Sequence, residues 1–238
     1  MYRNLVTSVL FVLVFLAAAC ANVAKKEAQD VKEGGVPAGT PESFVTAEQA
    51  AKTALKDGDA MPAFDLPDAA GKRVSSETLL RDSNLVVVFY RGGWCPFCNI
   101  YLKKLQDRLP EIENAGGTLV AISAENPDDS LSTLEKNNLK FAVLSDRNLE
   151  YARKFNLVYQ LEAETDKRYK NKGIDLVVDN DMMKPELPIS ATYIVNRDGK
   201  IVYSFVDPDY KKRLEPETVI DELGKISNTA PKSEGTKL

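Results

Sequence analysis

The chain has 238 residues, of which 44% are hydrophobic and 28% charged, a composition that suits one packed domain and excludes a wholly disordered chain. Lys and Arg number 31 against 35 Asp and Glu, so the surface lacks the positive field that nucleic-acid binding requires, and we expect no nucleic-acid partner. The chain contains no histidine, which excludes Cys-His and Ser-His-Asp catalysis and leaves backbone dipoles or a cation to activate any nucleophile.

The first segment, residues 1–19, has the composition of a signal peptide. Arg3 is its only charge, and the apolar run that follows is too short for a comfortable membrane span. The residues before Cys20 resemble a bacterial lipoprotein processing box, so we expect a lipid on Cys20 and a membrane-anchored protein in the periplasm or cell envelope. The alternative is ordinary cleavage after Ala19 or Ala21.

Residues 20–57 are expected to form a lipid-anchored tether, because most of them are small, charged, Gly or Pro and offer little apolar surface to bury. A short helix is possible from Thr46 onward. The globular domain is predicted for residues 58–226, beginning with an edge strand, a hairpin and a short helix capped by Ser75 or Ser76. The polar tail, residues 227–238, is expected to be disordered.

A buried strand leads directly into a helix that carries two thiols. Val86–Phe89 is apolar without alternation, as in a strand covered on both faces, and two glycines follow. Pro96 suits a first helical turn, which places Cys95 at the N-cap and Cys98 one turn inside. Free N–H groups and the helix dipole stabilise a thiolate there, so Cys95 should have a lowered pKa. This pattern predicts thiol redox chemistry.

The two cysteines have three other interpretations. A zinc half-site needs a second Cys or His pair, which the chain lacks, so no metal is expected. A static structural disulfide fits an exported protein but does not explain Trp94 and Pro96. A buried inert thiol pair is also possible. For the redox interpretation, Arg91 is the nearest cation that could activate a thiolate.

The rest of the chain alternates strands and helices, which predicts an α/β fold. One long helix is expected from Pro96 to about Asn114, with four apolar residues facing the core: Ile100, Leu102, Leu105 and Leu109. Two further strand and helix units follow, with Asp146 capping the second helix. The charged segment 156–188 interrupts the alternation and is typical of a lid or interaction surface. A hairpin and a final helix from Pro216 complete the domain.

Four segments together resemble the peroxiredoxin-like proteins of the alkyl hydroperoxide reductase and thiol-specific antioxidant (AhpC/TSA) family. They are Gly58-Asp-Ala-Met-Pro-Ala-Phe, Val88-Phe-Tyr-Arg-Gly-Gly-Trp-Cys-Pro-Phe-Cys, Ala191-Thr-Tyr-Ile-Val-Asn-Arg-Asp-Gly and Val206-Asp-Pro-Asp-Tyr. The resemblance covers about residues 58–225. It implies a thioredoxin-like fold, with a central mixed sheet flanked by helices, and no cofactor.

The resemblance also implies roles for the site residues and narrowly favours Cys98 as the attacking sulfur. Cys98 stands at the family's peroxidatic position, while Cys95 replaces a threonine and Arg91 a proline. A thioredoxin-type mechanism reverses the roles, making an exposed Cys95 the attacking thiol and Cys98 the buried resolving one. Many peroxiredoxins carry an arginine where this chain has Ser190, a cation that Arg91 would have to replace.

The function implied is a thiol peroxidase that reduces hydroperoxides through a redox-active Cys95–Cys98 disulfide, renewed by an external dithiol such as a thioredoxin-like protein. The alternatives are a thiol-disulfide oxidoreductase that reduces protein disulfides and a non-catalytic tethered module with a structural disulfide.

Overall fold

The computed structural model describes residues 44–229 of the chain. The predicted signal peptide, Cys20, the first part of the tether and residues 230–238 of the tail lie outside the described residues. Within the described range, no helix combines the length and the apolar character needed to cross a membrane.

Strands and helices alternate through most of the described range. The strands are β1 Asp65–Pro67, β2 Arg73–Ser75, β3 Asn84–Phe89, β4 Gly117–Ser123, β5 Ala142–Ser145, β6 Val158–Gln160, β7 Glu186–Pro188, β8 Ala191–Val195 and β9 Ile201–Val206. The helices are α1 Ala47–Thr53, α2 Ser76–Asp82, α3 Pro96–Asp107, α4 Leu109–Asn114, α5 Pro127–Asn137, α6 Glu150–Lys154, α7 Ala163–Lys170, α8 Leu176–Asp179 and α9 Pro216–Thr229.

Five strands form the central sheet, in the order β5-β4-β3-β8-β9. Strands β3, β4 and β5 are parallel, whereas β8 and β9 join antiparallel beside β3. Every residue of β3 is buried, because Val87 and Phe89 face one hydrophobic cluster while Val86 and Val88 face another on the opposite side. The structure confirms the predicted α/β fold with a mixed central sheet flanked by helices.

Helix α1 packs against the domain, although the predicted domain begins only at residue 58. Ala50 belongs to a core cluster, and the backbone N–H of Gln160 donates to the carbonyl of Val45 at 2.9 Å. Thr46 and Gln49 form a capping box that begins the helix. A compact unit therefore begins at Phe44, so residues 44–57 of the predicted tether belong to this unit.

The helix predicted to run unbroken from Pro96 is two helices, α3 and α4, divided at Arg108. Pro110 explains the break, since proline has no N–H for the helical hydrogen bond and its ring clashes with the preceding turn. Ile100 is 59% exposed, so its predicted place in the core is wrong. Tyr101 is buried instead.

Most of the segment 156–188 is packed onto the domain. Strands β6 and β7 pair antiparallel, and Leu161, Leu176 and Leu187 join the core cluster on one sheet face. The segment therefore holds α7 in a fixed place near the carboxyl end of β3.

Asp146 accepts backbone hydrogen bonds from Tyr151 and Ala152 at 2.8 Å, as expected of a cap for α6.

Candidate active site

Two glycines form the turn from β3 into α3. Gly92 has φ +145°, and a Cβ there would lie 2.9 Å from Glu125 Oε1. A Cβ on Gly93 would overlap the side chain of Thr133. The turn is held by Gly93, whose N–H donates to Glu125 at 2.8 Å and whose carbonyl accepts from Asn99 at 2.7 Å. Only glycine fits this close approach.

The thiols occupy the predicted positions at the start of α3. Cys95 is the N-cap residue, Pro96 opens the helix, and Cys98 lies one turn inside. Both cysteines are reduced and buried, with 1% of Cys95 and none of Cys98 exposed. The thioredoxin-type expectation of an exposed Cys95 is therefore wrong.

The two sulfurs differ in proton affinity. The Cys98 thiol donates a hydrogen bond to the Cys95 sulfur, and this bond, with help from Arg91 and Arg213, lowers the pKa of Cys95 to about 6 against the effect of burial. The same hydrogen bond and burial raise the pKa of Cys98 well above its usual value. The hydrogen bond between the sulfurs therefore favours a thiolate at Cys95 and a thiol at Cys98.

Arg91 supplies one positive charge. Its Nη1 lies 3.9 Å from Cys95 Sγ, and its Nη2 donates to the Tyr169 hydroxyl. The guanidinium carbon lies 4.0 Å from the ring centroid of Tyr210, 5.0 Å from that of Trp94 and 5.6 Å from that of Tyr169. This aromatic enclosure fixes the cation beside the sulfur and removes it from water.

Arg213 supplies a second positive charge and is not among the residues predicted from the sequence. Its Nη2 lies 3.5 Å from Cys98 Sγ, and its Nη1 donates to the carbonyl of Tyr210. Ser190, which stands where the family resemblance implies an arginine, is buried, and its hydroxyl has no hydrogen-bond partner among the described residues. The missing cation is thus replaced from the loop between β9 and α9. Arg213 lies just beyond the segment Val206-Asp-Pro-Asp-Tyr that carries the family resemblance. Its position in the sequence does not predict a contact with Cys98.

Glu125 is a second residue that was not predicted. It is buried at the carboxyl end of β4, where it holds Gly93 and accepts a weak hydrogen bond from the Tyr90 hydroxyl at 3.4 Å. Burial raises the pKa of its carboxyl, although the Gly93 N–H opposes the shift. A sequence signal existed, because polar residues just past neighbouring parallel strands meet at one sheet edge.

The chemistry available here is that of thiols. Among residues 44–229, no group of three or more Cys, Asp or Glu side chains is arranged to hold a metal ion. A thiolate, a neighbouring thiol and two guanidinium groups together can accept an oxygen atom and then form a disulfide.

The model of the AhpC/TSA family matches residues 58–204, more than half of the chain. The chain belongs to the AhpC/TSA family. It is 29% identical over 169 residues to peroxiredoxin Bcp of Escherichia coli K12, an alignment that covers 71% of this chain and 96% of that protein. It is 31% identical over 150 residues to a putative peroxiredoxin of Mycobacterium tuberculosis, covering 63% and 84% of the two chains.

Solved structures give the same fold. The crystal structure of peroxidoxin BcpB from Mycobacterium tuberculosis superposes with a TM-score of 0.58 at 20% identity, covering 72% of this chain and 98% of that one. The family is one of thiol peroxidases, so the protein is an oxidoreductase of the peroxiredoxin class with a thioredoxin-like fold.

Proposed function

We propose that the protein reduces hydroperoxides by a dithiol–disulfide cycle between Cys95 and Cys98. One observation carries the proposal: a thiolate of lowered pKa lies in hydrogen-bond contact with a second thiol, and each sulfur has its own guanidinium. The first thiol is thereby prepared to attack and the second to close the disulfide.

In the first step, the Cys95 thiolate attacks the terminal oxygen of the hydroperoxide. The O–O bond breaks, the sulfur becomes a sulfenic acid, and the released alkoxide or hydroxide leaves as an alcohol or water after taking a proton. The Arg91 guanidinium, near the sulfur, stabilises the negative charge that moves onto the leaving oxygen.

In the second step, the sulfur of Cys98 attacks the sulfenic sulfur of Cys95. The S–S bond forms, and the sulfenic oxygen leaves as water with the proton that Cys98 loses. An external dithiol, such as a thioredoxin-like protein, then returns two electrons and two protons and restores both thiols.

The assignment of the attacking sulfur follows the charge distribution. The family resemblance favours Cys98 as the peroxidatic residue, whereas the helix start and the hydrogen bond from Cys98 support a negative charge on Cys95. Because the thiolate is the nucleophile, we assign the attack to Cys95 and the resolving role to Cys98.

The burial of both sulfurs favours a small peroxide over a protein disulfide. Phe97 packs on Tyr210 with ring centroids 5.7 Å apart, and Tyr210 also covers Arg91. Because Cys95 is only 1% exposed, a disulfide on a folded protein reaches it only if the surrounding side chains move, while a peroxide needs a much smaller opening. Reduction of protein disulfides is therefore the second candidate.

The test compares the two substrates on the same reduced protein. Mixed with one equivalent of hydrogen peroxide, the protein should lose two thiols and gain one intramolecular disulfide within seconds, as measured by thiol titration and mass spectrometry. Under the same conditions, the reduced protein should reduce the disulfides of insulin far more slowly. If the protein's thiols are oxidised by insulin but not by peroxide, the peroxidase proposal is wrong and the protein is a thiol-disulfide oxidoreductase.

We also propose that the protein acts outside the cytoplasm, held to a membrane by a lipid on Cys20. The support is the amino-acid pattern of residues 1–20, and the external dithiol must then be present in the same compartment.

A further inference from the structure

The turn from β3 into α3 borders a cavity of about 500 Å³ that is separate from the thiol site. Gly93 and Trp94 of the turn form one part of its wall, and Glu125, α5 with its N-cap residue and the end of α8 form the rest. Neither cysteine belongs to this wall, and neither does Arg91. The cavity has the size of many small-molecule sites, so its side chains indicate what kind of molecule it holds.

Glu125 brings a buried carboxylate to the cavity. It is 6% exposed, and its carboxylate accepts hydrogen bonds from neutral groups of the described chain: the Gly93 N–H at 2.8 Å and the hydroxyls of Tyr90 and Ser123 at 3.4 and 3.5 Å. Burial and the negative charge of Asp129 raise the pKa of its carboxyl, although the Gly93 N–H opposes the shift. Because a buried carboxylate is normally paired with a cation, an occupant of the cavity would supply the missing positive charge.

The other charged residues of the wall add to this negative charge. Asp129 and Asp179 are exposed and also have neutral hydrogen-bond partners, the side-chain amide of Asn126 at 2.7 Å and the backbone N–H of Asp175 at 2.9 Å. Lys136, in the last turn of α5, is the cationic member of the wall. Three carboxylates thus face one ammonium group, and the cavity favours a positively charged occupant.

Asn180 gives the cavity a hydrogen-bond donor that lacks a partner. It follows α8, lines the cavity and is 2% exposed. Its side-chain Nδ2 is buried without an acceptor in the described part of the chain. A buried donor without an acceptor costs free energy, which an oxygen atom of an occupant would recover. The occupant therefore needs an oxygen acceptor as well as a positive charge.

We propose that this cavity binds a free basic α-amino acid, such as lysine. The side-chain ammonium of the ligand contacts Glu125 and Asp129, whose charges already act on each other. Its α-carboxylate accepts from Asn180 and pairs with Lys136, and its α-ammonium contacts Asp179. Each charged group of the ligand then has a partner of opposite charge, and the orphan amide has its acceptor. The site does not depend on the proposed peroxidase activity.

The test compares three ligands that differ by one charged group. L-lysine carries all three groups, cadaverine lacks the α-carboxylate, and L-norleucine lacks the side-chain ammonium. Each is titrated into the reduced full chain, and binding is followed by calorimetry and by the fluorescence of Trp94, which lines the cavity and is the single tryptophan of the chain. L-lysine should bind about tenfold more tightly than either of the others. Equal affinity for L-lysine and L-norleucine, or for L-lysine and cadaverine, would overturn the assignment.

Two variants separate the two ends of the ligand. Asp129→Asn should weaken L-lysine and cadaverine by about fivefold and leave L-norleucine unchanged, because only the first two carry the ammonium that Asp129 contacts. Asn180→Leu should bring L-lysine close to the affinity of cadaverine.

The matched control is Asp128→Asn, which removes an exposed carboxylate beside Asp129 on α5 but lies outside the wall of the cavity. It should leave all three affinities unchanged. An equal loss of L-lysine binding in Asp128→Asn and Asp129→Asn would show that the charge of the whole helix, not a built site, attracts the ligand, and would overturn the proposal.

Discussion

Cys95 and Cys98 lie one helical turn apart, yet their surroundings differ in origin. The charge beside Cys95 comes from Arg91, four residues earlier, and the helix start adds its own field. The charge beside Cys98 comes from Arg213, 115 residues later, in a loop. The reactivity of the first sulfur is therefore largely encoded locally, whereas that of the second depends on the completed fold.

Removing each sulfur in turn should give the largest effects and tests the difference between Cys95 and Cys98 directly. Cys95→Ser should abolish the reaction with peroxide, because burial still raises the pKa of the remaining Cys98 thiol. Cys98→Ser should still react and should accumulate a sulfenic acid at Cys95, since no thiol is left to close the disulfide. Dimedone traps the sulfenic acid, and mass spectrometry identifies the cysteine that carries it. A trapped sulfenic acid at Cys98 in the Cys95→Ser protein would restore the assignment that the family register favours.

The pH dependence should follow the Cys95 thiolate. Because the pKa of Cys95 is lowered to about 6, the thiolate fraction grows as pH rises through that value, and the peroxide rate should increase about tenfold between pH 5 and pH 7. Stopped-flow measurement of the rate against pH gives the midpoint. A midpoint above pH 8 would mean that the site does not stabilise a thiolate.

Arg91→Met should move that midpoint upward and lower the rate at pH 6 by roughly fivefold, because an opposite charge near the sulfur is lost. Its matched partner, Arg213→Met, should move the midpoint less and should instead slow disulfide closure by a few-fold, since its guanidinium contacts Cys98. Rapid quenching followed by mass spectrometry separates the two steps. If both variants have the same profile, the two arginines act as one shared charge.

The turn that carries both cysteines depends on Glu125. Glu125→Ala leaves the partly buried Gly93 N–H without its acceptor and should lower the free energy of unfolding by about 1–3 kcal/mol. Glu125→Gln retains an acceptor oxygen and should recover most of that loss. Urea unfolding of both variants checks the prediction, and equal destabilisation by Ala and Gln would show that charge, not the hydrogen bond, matters.

The smallest effect on the thiol chemistry is expected for a change at Cys20, which lies well before the two redox cysteines in the sequence. Cys20→Ser should leave the rates of both thiols unchanged, because Cys20 precedes a polar segment that separates it from the domain. The same variant should move the protein from membranes to a soluble extracytoplasmic fraction. Fractionation and immunoblotting measure this, and a variant that stays on the membrane would contradict the lipid anchor.

The sequence predicts the central sheet and the CxxC helix start well, because apolar β-branched runs, a pair of glycines and Pro96 have direct local meaning. The break between α3 and α4 could also be predicted, because proline at position 110 interrupts a helix. The contact of Arg213 with Cys98 could not be predicted from the sequence, since it depends on how a loop packs over a helix. Tyr169 over Arg91 is likewise a contact between distant segments.

Arg213 also bears on how the protein is made. During synthesis, both cysteines emerge well before Tyr169, Tyr210 and Arg213, since the chain grows from its N-terminus. Until those residues arrive and fold into place, Cys98 lacks the neighbouring guanidinium of Arg213, and Arg91 lacks the aromatic rings of Tyr169 and Tyr210. Each sulfur therefore has its full set of neighbours only after the chain up to Arg213 has folded.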